Sequence, residues 1–274
     1  MKYKPQKMKQ VILITGISSG FGKEISKLLA EKGHIVYGSI RSECKVEPGV
    51  KTVFIELTAP KTIADAVQKI IDTEGRIDVL INNAGMHSGG PFEDTPDEII
   101  RQQMDTNYFG WINAMKAVIP HMRKQGGGKI INISSIGGLT GMPFQGVYSA
   151  SKFAIEAVSA AMRAEIRPFN IKMVVVNPGD FKTRNVETRI VSIAENSPYK
   201  EQFEKTLRIF ERDETNGEDP VLLAKTISKI VNKKNPKQRY IVGSLIQKMA
   251  VYIKRIIPES IFNRLIANHY GIKY

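Results

Sequence analysis

Residues Val11 to Leu29 constrain the fold of this 274-residue chain most. Val11 to Thr15 is a short apolar run rich in β-branched residues. TGISSGFG follows from Thr15 to Gly22, and Phe21, Ile25, Leu28 and Leu29 then recur at helical spacing. The pattern reads as strand, tight turn and helix. Gly16, Gly20 and Gly22 let the backbone turn, approach a pyrophosphate and pack the helix on the sheet. Ser18, Ser19 and Phe21 complete the loop, which opens a helix whose free N–H groups face phosphates. A structural turn is the plainer alternative, but the strand-to-helix context favours nucleotide binding.

The alternation continues down the chain. Strands are expected at His34 to Ile40, Thr52 to Leu57, Ile77 to Asn82, Lys129 to Ser134, Ile171 to Val176 and Arg239 to Gly243. Helices are expected from Lys61 to Thr73, from Pro96 to about Lys124, from Tyr148 to Arg167 and from Asp219 to Asn232. Asn107 and Gly110 are poor helix formers inside the second of these, so a kink is expected there. Asn107 then either holds a water where the ladder opens or faces solvent. Strands alternating with helices predict an α/β fold, a doubly wound parallel sheet with helices on both faces.

No linker rich in Gly, Pro or Ser and no repeat divides the chain, so a single domain is expected over 11–243. A basic tail, 1–10, precedes it and a basic amphipathic extension, 244–274, follows. Residues 184–217 show no strand pattern and read as a substrate lid. The formal net charge of +13 is uneven: residues 1–10 hold four Lys and no acid, and residues 221–274 hold eleven Lys and Arg against Glu259 alone. The intervening body is therefore close to neutral, without the basic stripe of a nucleic-acid binder. One cysteine, Cys44, makes no internal disulfide and fits a reducing compartment. No apolar run reaches the ~20 residues of a membrane span, and the apolar stretch after the N-terminal lysines is too short for a signal peptide. The expected location is cytoplasmic, free or peripheral at a membrane surface. No metal site is expected.

The chemistry is expected between Asn132 and Lys152. Tyr148 and Lys152 lie four apart, on one face of a helix. A nearby ammonium favours the phenolate and would lower the Tyr148 pKa. Ser135 ends a strand, where open α/β sheets bind ligands, and its hydroxyl suits a carbonyl oxygen. The bland reading is a turn serine, a solvated tyrosine and a surface lysine; Tyr3 and Lys7 share the spacing with no chemistry in view. Upstream, NNAG from Asn82 to Gly85 offers Asn83, Ala84 and Gly85 as a small-residue bed for a ribose, or an ordinary turn. Arg41, directly after the second strand, favours a 2′-phosphate and so NADP over NAD, against the alternative of a solvated arginine. In NPGDFKT, Pro178 and Gly179 suit a turn against a flat ring, and Thr183 can reach a carboxamide or phosphate.

With these pieces in order, the chain resembles the short-chain dehydrogenase/reductase family over roughly Val11 to Gly243. TGISSGFG matches the family's TGxxxGxG loop, NNAG matches outright, and YSASK matches YxxxK with Ser135 thirteen residues upstream. NPGDFKT looks like the family's PG-motif, and the stretch from Ser135 to Ala157 is most like the hydroxysteroid and retinol dehydrogenase branch. Glu56 stands where the family more often has Asp beside the adenine. The resemblance implies a Rossmann-like fold and an NADP-dependent hydride transfer between nicotinamide and a carbonyl or secondary alcohol. It also implies Asn107, Ser135, Tyr148 and Lys152 as the catalytic set, with Phe181 among the cofactor contacts. Family members commonly pair through the two long helices, which implies a homo-oligomer.

Met86, Met142, Pro143, Phe144, Phe181, Val186, Ile190 and Ile193 are expected to line an apolar pocket for a lipid- or steroid-like ketone. No Arg or Lys is placed to grip a substrate carboxylate. A 3-oxoacyl reductase acting on a carrier-bound substrate is the alternative within the enzyme class, and a non-catalytic NADP sensor the alternative outside it. Leu245, Ile246, Met249, Tyr252, Ile253, Ile256 and Ile257 share one side of a helical wheel, with Lys248, Lys254 and Arg255 opposite. That side is expected first to pack on its own domain or close the pocket. A membrane interface, an oligomer contact or an acidic protein is the alternative.

Overall fold

The computed structural model describes residues 9–183 and 185–273. The first half runs β1 Val11–Ile14, α1 Gly20–Glu31, β2 Ile35–Ile40, β3 Val50–Phe54, α2 Pro60–Glu74 and β4 Val79–Asn82. A two-residue β5, Ser88–Gly89, precedes α3 Asp97–Met104, a π-helical turn Asp105–Phe109 and α4 Gly110–Lys124. Then come β6 Gly128–Ile133, α5 Gly146–Ile166, β7 Ile171–Pro178, α6 Asn185–Thr188, the two-residue β8 Ile190–Val191 and α7 Lys200–Thr215. The chain finishes with α8 Pro220–Asn232, β9 Arg239–Val242, α9 Leu245–Ile253 and α10 Glu259–His269.

Seven strands form one sheet in the order β3-β2-β1-β4-β6-β7-β9, and every neighbouring pair is parallel. The central strands are buried on both faces, which is why β1 reads as unbroken apolar residues rather than an alternation. Their side chains still divide by period two. Leu13 joins the layer built with Trp111 and Met115 of α4 and Ile155 of α5, whereas Ile12 and Ile14 join Ile25 of α1 and Ile227 of α8. The strand order reverses between β1 and β4, and the crevice beyond their C-terminal ends is where such sheets take ligands.

Several boundaries shift. The third strand starts at Val50, which pairs with Val36, and Glu56 and Leu57 already lie in the turn before α2. The kink expected at Asn107 and Gly110 is the π-helical turn. A Cβ on Gly110 would lie 2.7 Å from Leu57 Cβ, so the close approach of α4 to that turn requires glycine.

The segment 184–217 was expected to lack strands, yet it holds β8, which pairs in parallel with β5, and the 16-residue α7. Two-residue strands leave no periodicity to read, and α7 buries only a thin stripe of Phe203, Thr206, Phe210 and Glu214 on a charged helix.

The C-terminal extension overturns the first expectation for its apolar side. Leu245, Ile246 and Ile256 are 72%, 80% and 81% exposed, and Met249 and Tyr252 are also exposed. The inner side is anchored instead by Val251, by Phe262 and by Lys254, whose Nζ donates to Leu139 O at 2.6 Å. A helical wheel gives the apolar stripe but not which side faces the domain. That apolar side does not line the cavity beside Tyr148; Tyr270, at the end of α10, joins its wall instead. Among the described residues no helix is long and apolar enough to cross a membrane.

Candidate active site

Tyr148 and Lys152 project from the first turns of α5, and Ser135 sits where β6 ends and a short 3-10 turn begins. Ser135 Oγ accepts from Gly137 N at 3.0 Å, which fixes the hydroxyl at the cavity edge. Lys152 is buried at the base: its Nζ donates to Ile133 O at 3.2 Å and lies 4.4 Å from the Trp111 ring centre and 5.8 Å from that of Tyr148. Burial pulls the Lys152 pKa down to about 7, with Glu156 opposing. The Tyr148 pKa is raised, chiefly by burial, with a hydrogen bond from Ser135 acting the other way. This is opposite in direction to the lowering expected from the Tyr–Lys spacing, because burial takes the phenolate out of water.

Asn107 lies in the π-helical turn and is fully buried. Its Oδ1 accepts from Met86 N at 2.9 Å, and its Nδ2 donates to Met86 O at 2.9 Å and to Ser151 Oγ at 3.2 Å. The solvent-facing alternative is thereby excluded. The same contacts tie the NNAG turn to α5.

A cleft of about 560 Å³ runs from the α1 loop to Tyr148 and Lys152. Its floor is locked by Thr15, whose Oγ1 accepts from Asn83 N at 2.9 Å and Ala84 N at 3.0 Å. Asn83 Nδ2 returns to Thr15 O and Gly16 O at 2.9 and 2.7 Å. The next asparagine, Asn82, donates to Asn132 Oδ1 at 2.8 Å and ties β4 to β6. Gly16 and Gly20 take positive φ, and a Cβ on Gly22 would lie 1.8 Å from Gly16 O. Gly22 therefore packs behind the loop, while Gly16, Ser18, Ser19, Gly20 and Phe21 form its wall. Ser19 caps α1 without a side-chain bond to its first N–H groups, which leaves them for a phosphate. Ala84 and Gly85 line the middle of the cleft, and Arg41 its far end, 3.6 Å from Glu56. A bare-backbone cradle at a helix N-terminus, continuous with the Tyr–Lys pair, fits a dinucleotide.

Of the residues expected at the cofactor, Pro178, Gly179 and Phe181 border a smaller cavity that adjoins the cleft and shares Phe21, His87, Ser134, Tyr148 and Thr183 with it. Pro143, Phe144, Val186 and Ile193 line neither; Met86 and Ile190 belong to the cleft and Met142 to the cavity. The cavity is also more polar than the apolar lining expected from sequence. His87 stacks on Tyr148 with ring centres 4.1 Å apart, and Asp180, Glu214 and Tyr270 form part of the wall. Burial pushes His87 down to about 3 and Glu214 up to about 7. Sequence reasoning missed these residues. His87 and Asp180 adjoin recognisable motifs, but Glu214 and Tyr270 arrive from helices with no local signal of chemistry.

A parallel sheet with its crevice at the strand reversal, a phosphate cradle and a Ser–Tyr–Lys cluster define a dinucleotide-dependent oxidoreductase. The comparisons give the family: residues 10–191 match the short chain dehydrogenase model, and this chain belongs to the short-chain dehydrogenase/reductase family. It is 46% identical over 266 residues to a 3-ketodihydrosphingosine reductase of Bacteroides thetaiotaomicron, covering 96% of this chain and 99% of that one. It is 32% identical to Dehydrogenase/reductase SDR family member 7B of Xenopus laevis, covering 92% and 80% respectively. Among solved structures, a short-chain dehydrogenase from Streptomyces avermitilis superposes with a TM-score of 0.79 at 28% identity, covering 96% of this chain and 97% of that one. One from Burkholderia cenocepacia, in complex with NADP, gives 0.75 at 25%, covering 95% and 98%.

Proposed function

We propose that this enzyme uses NADPH to reduce the ketone of a long-chain 2-amino ketone, 3-ketodihydrosphingosine or a close analogue. The observation that carries the chemistry is that Tyr148 borders both the nucleotide cleft, which Lys152 also lines, and the small cavity that Ser135 lines. The 46% identical reductase supports the choice of substrate.

NADPH, when bound, supplies the hydride. Gly16, Gly20 and the α1 N-terminus hold its pyrophosphate, Asn83 to Gly85 bed a ribose, and Arg41 meets the 2′-phosphate. Ser135 donates a hydrogen bond to the substrate carbonyl oxygen and stabilises the charge that develops there. Tyr148 gives that oxygen its proton. Lys152 holds the ribose beside the nicotinamide and replenishes the proton on Tyr148, and Asn107 keeps a water path to Lys152 in register. The raised Tyr148 pKa suits a group that must be protonated before it donates.

The enclosed space beside Tyr148 is about 70 Å³, room for a carbonyl and its nearest substituents. The alkyl chain therefore leaves toward the surface. The exposed apolar stripe of α9 meets an anionic lipid surface there, with Lys248 and Arg255 at its edge for the headgroups.

The test is NADPH oxidation with 3-ketodihydrosphingosine, a 3-oxoacyl thioester and a steroid ketone, each repeated with NADH. The reading expects the first substrate to be reduced best and NADPH to be preferred. Faster turnover of the thioester or steroid would overturn the substrate assignment.

A further inference from the structure

The wall of the cavity beside Tyr148 has a charge pattern that ketone reduction does not require. Asp180 and Glu214 both line it, and among its described lining residues there is no Lys or Arg. Glu214 projects from the last turn of α7 and is 8% exposed. Its Oε1 accepts from the buried Arg189 guanidinium, while its Oε2 has no hydrogen-bond partner among the described residues. Asp180 Oδ2 accepts from Gln247 Nε2 at 2.5 Å, a neutral partner. Behind them, Asp213 pairs with His269 at 2.9 Å, and neither lines the cavity. Two carboxylates thus line one small cavity, one of them paired with the Arg189 guanidinium, and a buried carboxylate oxygen left without a partner there is costly.

We propose that Glu214, assisted by Asp180, is the binding site for the substrate's ammonium group, so that the enzyme selects ketones with a positively charged amine beside the reacting carbon. This deepens the function proposed above and rests on it. With the carbonyl oxygen at Tyr148 and Ser135, the substituents of the carbonyl carbon reach into the same small cavity, where Glu214 and Asp180 complete the wall. An ammonium there gives Glu214 Oε2 the donor it lacks, in a charge-assisted bond. Burial raises the pKa of both carboxylates, with Arg189 opposing at each. A neutral ketone would leave Glu214 Oε2 without a donor, so discrimination comes from a group left unpaired as much as from the bond gained.

The experiment compares kcat/KM for 3-ketodihydrosphingosine with that for the matching hydroxyketone lacking the amine, in wild type, Glu214→Gln and Asp180→Asn. Wild type should favour the amine by about 10- to 100-fold. In Glu214→Gln the ratio should fall toward one, chiefly through KM for the amino ketone, with Asp180→Asn moving the same way by less. A wild type without preference, or a Glu214→Gln variant that loses both substrates equally, would overturn the proposal. If Glu214→Gln fails to fold because Arg189 is left buried alone, the wild-type preference and Asp180→Asn decide.

A binding arm separates this proposal from the proposed reaction. Calorimetry on the NADP-loaded proteins compares dihydrosphingosine with its N-acetyl derivative, which is neutral. If neither ketone is reduced, the proposed reaction fails. Tighter binding of the amine than the amide by wild type alone would still support the ammonium site, and equal binding would remove it.

Discussion

Lys152 donates to a backbone carbonyl and lies over the indole of Trp111, and burial has brought its pKa to about 7. Tyr148 moves the other way, and burial is the chief cause for both. Tyr148→Phe should cost turnover about 10²- to 10⁴-fold, the range for losing a positioned proton donor, and leave NADPH affinity within a few-fold. Stopped-flow turnover and NADPH fluorescence titration check the two halves; retained activity would remove Tyr148 from the mechanism. Arg41 makes a separable contribution. Its pairing with Glu56 is exposed and 3.6 Å long, worth little by itself. Arg41→Ala should raise KM for NADPH about tenfold, the scale of one charge-assisted bond, and leave KM for NADH nearly unchanged. Equal effects on both cofactors would cancel the 2′-phosphate assignment.

Elements bring these groups together by unusual local geometry. The π-helical turn between α3 and α4 presents Asn107 to the NNAG turn, where it makes three hydrogen bonds in the interior. Asn107→Ala leaves Met86 N and Met86 O without those partners and should cost about 1–3 kcal/mol of stability, read as a lower urea midpoint at unchanged slope. At the cleft, Gly22→Ala drives a Cβ toward Gly16 O and should displace the loop proposed to hold the pyrophosphate. NADPH affinity is then expected to fall before global stability does; an unaltered affinity would mean the loop is not the cradle. The β5–β8 pairing and α7 belong to the same level. Ile190 N donates to His87 O at 2.9 Å, which brings the segment bearing Arg189 against the Tyr148 face, and α7 then supplies Glu214.

For the whole molecule, buried bases set the pH response. Lys129 donates from one Nζ to Ile230 O, Val231 O and Lys233 O at 2.7–2.9 Å, so one ammonium satisfies the C-terminal carbonyls of α8. Burial nevertheless lowers it from 10.5 to about 8, and Lys152 to about 7. Between those values and 10.5 the unfolded chain binds protons that the folded chain does not, so stability rises with pH across that window. Lys129→Met should flatten the rise above about pH 8. Urea midpoints at about pH 7.5 and about pH 9.5 measure it, and an unchanged slope would show that Lys129 contributes nothing there.

The outward face of α9 has its own test. Wild type should float with anionic vesicles, and Ile246→Asp with Ile256→Asp should abolish flotation while NADPH binding persists. Flotation that ignores both substitutions would move the contact elsewhere.

Much of this was written locally. The glycine loop, NNAG, Ser135, Tyr148 and Lys152 could be read from sequence because each works through backbone conformation or spacing within one strand–turn–helix unit, as could the alternation that sets a parallel sheet. Strand ends slipped by a few residues, since pairing with a neighbour decides where a strand stops. Folding alone brought Glu214, Asp180, His87 and Tyr270 around one cavity. It also turned the apolar side of α9 outward and reversed the expected shift of Tyr148. Those features depend on burial and on contacts between residues distant in the chain, and neither is encoded in any local stretch.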